Sequence, residues 1–333
     1  MRLSECLDLG VFVSAPAERD EPEPMWVAAR DAGQIPANLY ELYRITNYLS
    51  PSGIAGWRTE AARVVSGYFS RTVRSLTECF VEAAELEAEM VRLLATTYTP
   101  LKKARGEQWD QNATRRFRSA FRLWLIDVTG IVDSLAELTA MILPGAVPKL
   151  QLGQGASGPL LTWVGKELRA KEGVVDPITF YAEALHNALK SHVTLPPEHN
   201  WWHFVRVYRN KLAHLGHQAF INFGLQGSDG EFYYFLPRQW PFNPEKHIEV
   251  RVPGELPTDD MSAKQHLAEA LLMVDTATFI HESNNRMLLA VNDALAELLA
   301  AWRQLRIPDA ADLSAKIDVA TQGLTFRDFP AAG

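Results

Sequence analysis

Cysteine is scarce in this chain: among 333 residues only Cys6 and Cys79 occur. Their separation fits no metal-ligand spacing, and two thiols define no disulfide framework. Long apolar runs are missing as well. No stretch approaches the roughly 18 uninterrupted apolar residues of a membrane-spanning helix. The first residues carry one early Arg, a short apolar run and then acidic side chains, a poor match to a secretory leader. The expectation is therefore a reduced, cytoplasmic compartment and no membrane partner. An excess of positive charge is absent too: 33 Lys and Arg face 40 Asp and Glu, for a formal net charge of −7. That balance excludes a protein that coats nucleic acid through its bulk charge. Any nucleic-acid contact needs a local basic patch on an acidic body. No Ser or Cys sits in a recognisable nucleophile elbow. Gly153-x-Gly155-x-x-Gly158 superficially matches a dinucleotide fingerprint, but it lacks a convincing preceding strand and reads as a linker.

What is present is helix-forming sequence of ordinary globular balance, with 47% apolar and 22% charged residues. Residues 1–35 read as loop, with Pro and acidic residues clustered at 16–24, and a short helix is expected over 37–49. A long helix is expected from Trp57 to Tyr98, broken by Thr99-Pro100, and a second from Trp109 to Leu143. The Gly-rich segment 145–158 separates these from shorter helices at 159–171 and 177–192, the latter after Asp176-Pro177. Asn200 is placed to cap a helix starting at Trp201, and Gly216 is a natural stop. The period then changes, with β-like runs at 232–236 and 247–252, before a long helix over 262–305 and a weak one at 311–320. The fold class is therefore mainly all-α: an antiparallel bundle of long helices with a small β-hairpin insertion. Residues 1–50 form an irregular N-terminal segment with one short helix, and 51–333 form the bundle, its β insertion at about 218–256.

The helix beginning at Trp201 carries the chemistry. Projected at about 100° per residue, Trp201, Phe204, Val205, Tyr208, Leu212 and Leu215 fall within roughly ±60° of one direction. Opposite this core stripe, in an arc of about 80°, lie His203, Arg206, Asn210, His214 and, if the helix extends that far, His217. Asn210 and His214 are i,i+4 neighbours, and Arg209 stands on the flank about 140° round from His214. A polar face opposite a core face is what any amphipathic surface helix shows. This one is rich in His, however, rather than in Lys and Glu, and His titrates near neutrality.

The run Tyr208-Arg209-Asn210-Lys211-Leu212-Ala213-His214 resembles the Arg-x(4–6)-His signature of the HEPN superfamily, all-α proteins of which many are metal-independent RNA endonucleases. The resemblance covers one helix. It implies that Arg209 binds the scissile phosphate, that His214 is the general acid or base, and that Asn210 orients one of the reacting groups. It also implies attack by the ribose 2′-hydroxyl, 2′,3′-cyclic phosphate ends and no cofactor. His203, Arg206, Lys211 and His217 would support RNA binding. In the superfamily two motif helices face each other across a homodimer, and many members are toxins or antiviral defence proteins with an antitoxin or regulatory partner. A reactive stripe facing away from its own core has no second wall, which independently favours a symmetric partner. One departure is plain: toxins silenced by nucleotidyl modification carry Tyr two residues after the His, and here that position is Gly216. The alternatives are a non-catalytic HEPN-like module for dimerisation or partner binding, and a metal-dependent helical-bundle hydrolase built on one of the histidine pairs, His199/His203 or His214/His217, plus Glu or Asp from another helix, with His281-Glu282 as a candidate contributor.

Residues 102–122 form a second constellation. Lys102, Lys103, Arg105, Arg115, Arg116, Arg118 and Arg122 outnumber Glu107 and Asp110, with Phe117, Phe121 and Trp124 interleaved. Two readings compete: a basic patch that guides RNA and stacks its bases, or a helix start whose aromatics face the core and whose arginines are solvated or paired with Glu82, Glu85 and Glu89 on an antiparallel neighbour. The second is favoured, because those glutamates fall on the neighbouring helix.

Overall fold

In a computed structural model of the protein, the described residues are 10–12, 24–48, 54–57, 60–103, 111–143, 177–193, 201–215, 223–226, 232–237 and 271–304. They form seven helices and five short strands, so the fold is mainly α with a small β component. In chain order the elements are β1 (Gly10–Phe12), α1 (Pro24–Asp31), α2 (Ala37–Tyr48), β2 (Ile54–Trp57), α3 (Glu60–Lys103), α4 (Gln111–Ile142), α5 (Pro177–Val193), α6 (Trp201–Leu215), β3 (Phe223–Gln226), β4 (Phe232–Pro237), β5 (Leu271–Asp275) and α7 (Thr276–Gln304). The chain divides into two compact units. One comprises Met1–Val81, Gly130–Thr194 and Met287–Gly333; the other comprises Glu82–Thr129 and Leu195–Arg286.

The long helices follow from their spacing. On α3 the buried residues Phe69, Val73, Leu76, Phe80 and Ala83 recur at alternating steps of four and three, and Met90 follows seven residues on, in the same register. On α4 the same rhythm runs through Ala113, Phe117, Ala120, Trp124, Val128, Ile131, Leu135, Leu138 and Ile142. Within the first unit α3 and α4 are antiparallel: Thr72 donates to Glu137 at 3.4 Å, and Gly130 lies opposite Cys79. A Cβ at Gly130 would stand 3.2 Å from the Cys79 Sγ, so the absent side chain is what allows this approach. Trp302 of α7 stacks on Phe69 of α3 at 5.7 Å between ring centroids. Asn38, at the start of α2, exchanges two hydrogen bonds with Asn292 of α7: its amide N donates to Oδ1 and its Nδ2 to the backbone oxygen.

The second unit holds α3 from Glu82, α4 to Thr129, α6, the β3–β4–β5 sheet and the start of α7. The α3/α4 pairing is antiparallel here too, Glu82 meeting Asp127 and Glu89 meeting Arg116. Strand order is β3-β4-β5, both pairings antiparallel. Tyr234 and Leu236 of β4 are both buried, two residues apart, as the strand period requires. Asp275 joins sheet to helix. Its Oδ1 accepts from the Tyr234 amide at 3.2 Å, and its Oδ2 accepts from Ala277 and Thr278 at 3.0 and 3.3 Å as the N-cap of α7.

The structure departs from the sequence reading at five places. Residues 24–31 are helix, not loop. Pro24 opens α1 at a position where a missing N–H is harmless, and Gly33 at φ 68° closes it, its amide donating to Arg30 and that of Gln34 to Ala29. Ile54–Trp57 is a strand paired with β1, and α3 starts three residues after it. Pro100 does not stop α3, which runs one further turn to Lys103; proline deletes one hydrogen bond near a helix end where few remain to be lost. Leu271–Asp275 is a third strand of the sheet rather than part of the last helix, because Leu-Leu-Met-Val satisfies either period and the Asp275 cap sets the start of α7. The expected strand partner of β4 also changes: β4 pairs with β3 upstream and β5 downstream, while 247–252 lies outside the described residues. The expected helices at 159–171 and 311–320 lie outside them as well.

Candidate functional site

Helix α6 begins at Trp201 and runs 15 residues. Its apolar stripe is seated as projected: Trp201, Phe204, Val205 and Tyr208 are buried. Trp202, which falls outside that stripe, is buried as well, packed against Trp201 at 5.6 Å between centroids. The anchor of the helix is Tyr208. Its ring meets Phe121 of α4 edge-on at 6.1 Å and Phe279 of α7 edge-on at 6.2 Å, and it stacks on Phe204 one turn earlier. Burial pushes its hydroxyl pKa far up, so Tyr208 is a neutral structural phenol. The residue that precedes Arg209 is thus one of the most deeply packed in the chain, and this fixes the direction in which Arg209 leaves the helix.

On the other face His203, Arg206 and Asn210 are exposed, and Arg209 is half-buried. The Arg209 Nη1 donates to the Asn210 Oδ1 at 3.3 Å. This contact holds the guanidinium toward the polar face and leaves most of its five N–H donors available to an oxyanion. Lys211 and His214 continue the same helix, His214 one turn beyond Asn210 and about 6 Å further along the axis. Their side chains, and the whole of His217, lie outside the described residues, as do the side chains of Leu212 and Leu215. The site residues brought together by contact are therefore Arg209 and Asn210.

The basic run on α4 separates into two parts. Phe117, Phe121 and Trp124 are buried, so they pack the core and offer no face to a base. Arg116 is paired with Glu89 at 2.6 Å, and Glu89 also holds Arg92. Glu82 is engaged with Asp127 instead of an arginine. Arg115, Arg118 and Arg122 remain exposed. Lys102, Lys103 and Arg105 fall outside the described side chains.

A further polar chain escaped the sequence reading. The Trp124 Nε1 donates to the Asn284 Oδ1 at 2.8 Å; the Asn284 Nδ2 donates to Glu87 Oε2 at 2.6 Å; Glu87 Oε1 meets His281 Nδ1 at 2.6 Å; and His281 Nε2 faces the Asn285 Nδ2 at 2.9 Å. Glu87 occupies the α3 seam between Ala83 and Met90, where the three–four rhythm calls for an apolar side chain. The available signals were that break in the rhythm and Asn284-Asn285, two poor helix formers inside a helix rich in Ala and Leu. His281 is thereby committed to this chain of bonds. Among the described residues no three His, Cys, Asp or Glu side chains converge as metal ligands, and His199 and His217 lie outside them. Among the described residues no helix is long and apolar enough to cross a membrane. No family model, no curated protein and no solved structure matches the chain.

Proposed function

We propose that the chain is a metal-independent endoribonuclease of HEPN type that acts as a homodimer. The observation that carries this reading is the Arg209–Asn210 pair, held at the solvent edge of α6 by the buried Tyr208, one turn before His214 in the pattern Arg-Asn-x-x-x-His. In this reading Arg209 grips the non-bridging phosphate oxygens with its planar fork. His214 takes the proton of the 2′-hydroxyl, or delivers one to the departing 5′ oxygen. The 2′ oxygen bonds to phosphorus as the bond to the 5′ oxygen breaks, leaving a 2′,3′-cyclic phosphate and a 5′-hydroxyl. DNA lacks the attacking hydroxyl and is not cut. A second copy supplies the wall that an outward-facing helix lacks. A toxin or antiviral role with an antitoxin or regulatory partner rests on the resemblance alone.

Incubation with RNA and with DNA of the same sequence in excess EDTA tests the reaction: cyclic-phosphate products from RNA only are expected. Sedimentation at activity-relevant concentration tests the dimer, and a strictly monomeric protein with ribonuclease activity would refute that part. The Arg209–Asn210 hydrogen bond also suits one other reading, a non-catalytic module that uses the same face to pair with a partner. That reading is identified by dimerisation that depends on Arg209 in a protein that cleaves nothing.

A further inference from the structure

The solvent face of α4 carries a row of arginines that the fold does not use. With Arg115 at zero, Arg118 and Arg122 stand at about −60° and −20°, so all three share one narrow arc. The buried residues Phe117 and Trp124 lie on the far side of the helix, at about 180° to 200°. Arg115, Arg118 and Arg122 are exposed, and among the described residues none of them forms an ion pair or hydrogen bond. Arg116, at about 100°, is turned to the other flank and neutralised there by Glu89. On a chain of net charge −7, three uncompensated guanidiniums spread over about 10 Å of helix axis make a local field opposite in sign to that of the body.

We infer that Arg115, Arg118 and Arg122 are a docking track for the phosphate backbone of single-stranded RNA. The spacing suits successive phosphates, each taken by one bidentate fork. The place suits the site. Arg118 stands one turn before Phe121 and about 60° round from it, and Phe121 is the residue that meets Tyr208, neighbour of Arg209. Leu123 and Ile126, 52% and 49% exposed, extend the row with apolar surface against which sugars and bases can lie. The geometry disfavours a lipid surface, because the broad apolar face that a helix buries in a bilayer is here already packed inside the protein. Naming RNA as the polyanion rests on the ribonuclease reading of α6; the arginine row itself does not.

The test uses the full chain and a fluorescent single-stranded 2′-O-methyl RNA, which binds but offers no attacking hydroxyl, so that binding is read apart from cleavage. Anisotropy titrations across a salt series compare the native protein with the triple variant Arg115→Gln, Arg118→Gln, Arg122→Gln, with Arg116→Gln, and with a triple Arg→Lys variant. Losing three phosphate contacts lowers the slope of log K against log salt by about 2. If the curves converge near 1 M salt, that is a loss of about fifty-fold at 0.15 M. Arg116→Gln is expected to stay within about twofold, because that charge is already matched by Glu89, and the lysine variant is expected to recover most of the binding. Unchanged binding by the triple Gln variant with an unchanged melting temperature overturns the proposal. So does an equal loss in Arg116→Gln, or arginine-dependent binding to phosphatidylserine vesicles by a protein that ignores RNA. Arginine-dependent binding in a protein that cleaves no RNA upholds the track and defeats the ribonuclease reading.

Discussion

Neutralising Asp127 is expected to stabilise the protein at neutral pH and to leave it unchanged in acid. Asp127 lies half-buried on α4, hydrogen-bonded to Glu82 of α3. Burial first, then the adjacent Glu82 carboxylate and the bond to it, raise the Asp127 pKa to about 6. Asp127, the more buried partner, therefore holds the proton the pair shares. Because the folded value is above the unfolded one, the associated stability is fully present below about pH 4 and is lost as pH rises through about 6. A shift of about two units corresponds to at most ~3 kcal/mol. Asp127 keeps much of its solvent contact, so screening reduces this to about 1 kcal/mol. Asp127→Asn retains a donor for Glu82 and never ionises. Urea unfolding is expected to show it more stable than the native chain by about 1 kcal/mol near pH 7.5 and equal to it near pH 4. Glu82→Gln relieves the same repulsion, so the double variant is expected to gain less than the sum of the two. A gain of equal size at both pH values, or a loss at pH 7.5, would refute the reasoning, since neither follows from a shared proton.

Other outcomes follow from the polar chain and the caps. Asn284→Ala leaves the buried Trp124 N–H and one Glu87 oxygen without partners; a loss of about 2–3 kcal/mol is expected in denaturant unfolding, and one below about 0.5 kcal/mol would show that water replaces the amide without penalty. Asp275→Ala removes an N-cap and a strand contact together, with an expected loss of about 1–2 kcal/mol and early hydrogen exchange at the Ala277 and Thr278 amides. Tyr208→Phe keeps the aromatic packing and is expected to cost less than about 1.5 kcal/mol, whereas Tyr208→Ala is expected to cost about 3–5 kcal/mol and to weaken any activity of α6 with it.

The long helices were legible because their apolar residues repeat at steps of three and four over many turns, and the core stripe of α6 was legible for the same reason. Among short elements, α2 and β4 were legible and others were not. Leu271–Asp275 offers four apolar residues to either period, and only the pairing with β4 decides between them. Trp202 falls off the projected core stripe because a single stripe assumes one packing neighbour, whereas residues on two sides of α6 are buried. Residues 102–122 show the opposite limit. Alternating arginines and aromatics read alike for an RNA surface and for an amphipathic helix, and only burial of Phe117, Phe121 and Trp124 and the pairing of Arg116 with Glu89 separate core from free charge. Glu87, an acid at a seam position, becomes intelligible only once Asn284 and His281 are brought to it from a helix nearly 200 residues away.

The most direct measurement is cleavage of mixed cellular RNA by the purified native chain in excess EDTA, beside Arg209→Ala and His214→Ala proteins whose unfolding curves match the native one. Cleavage by the native chain alone, with 2′,3′-cyclic phosphate ends, is the result this account requires. Equal cleavage by all three proteins, or none by any of them, would contradict the assignment of ribonuclease chemistry to α6.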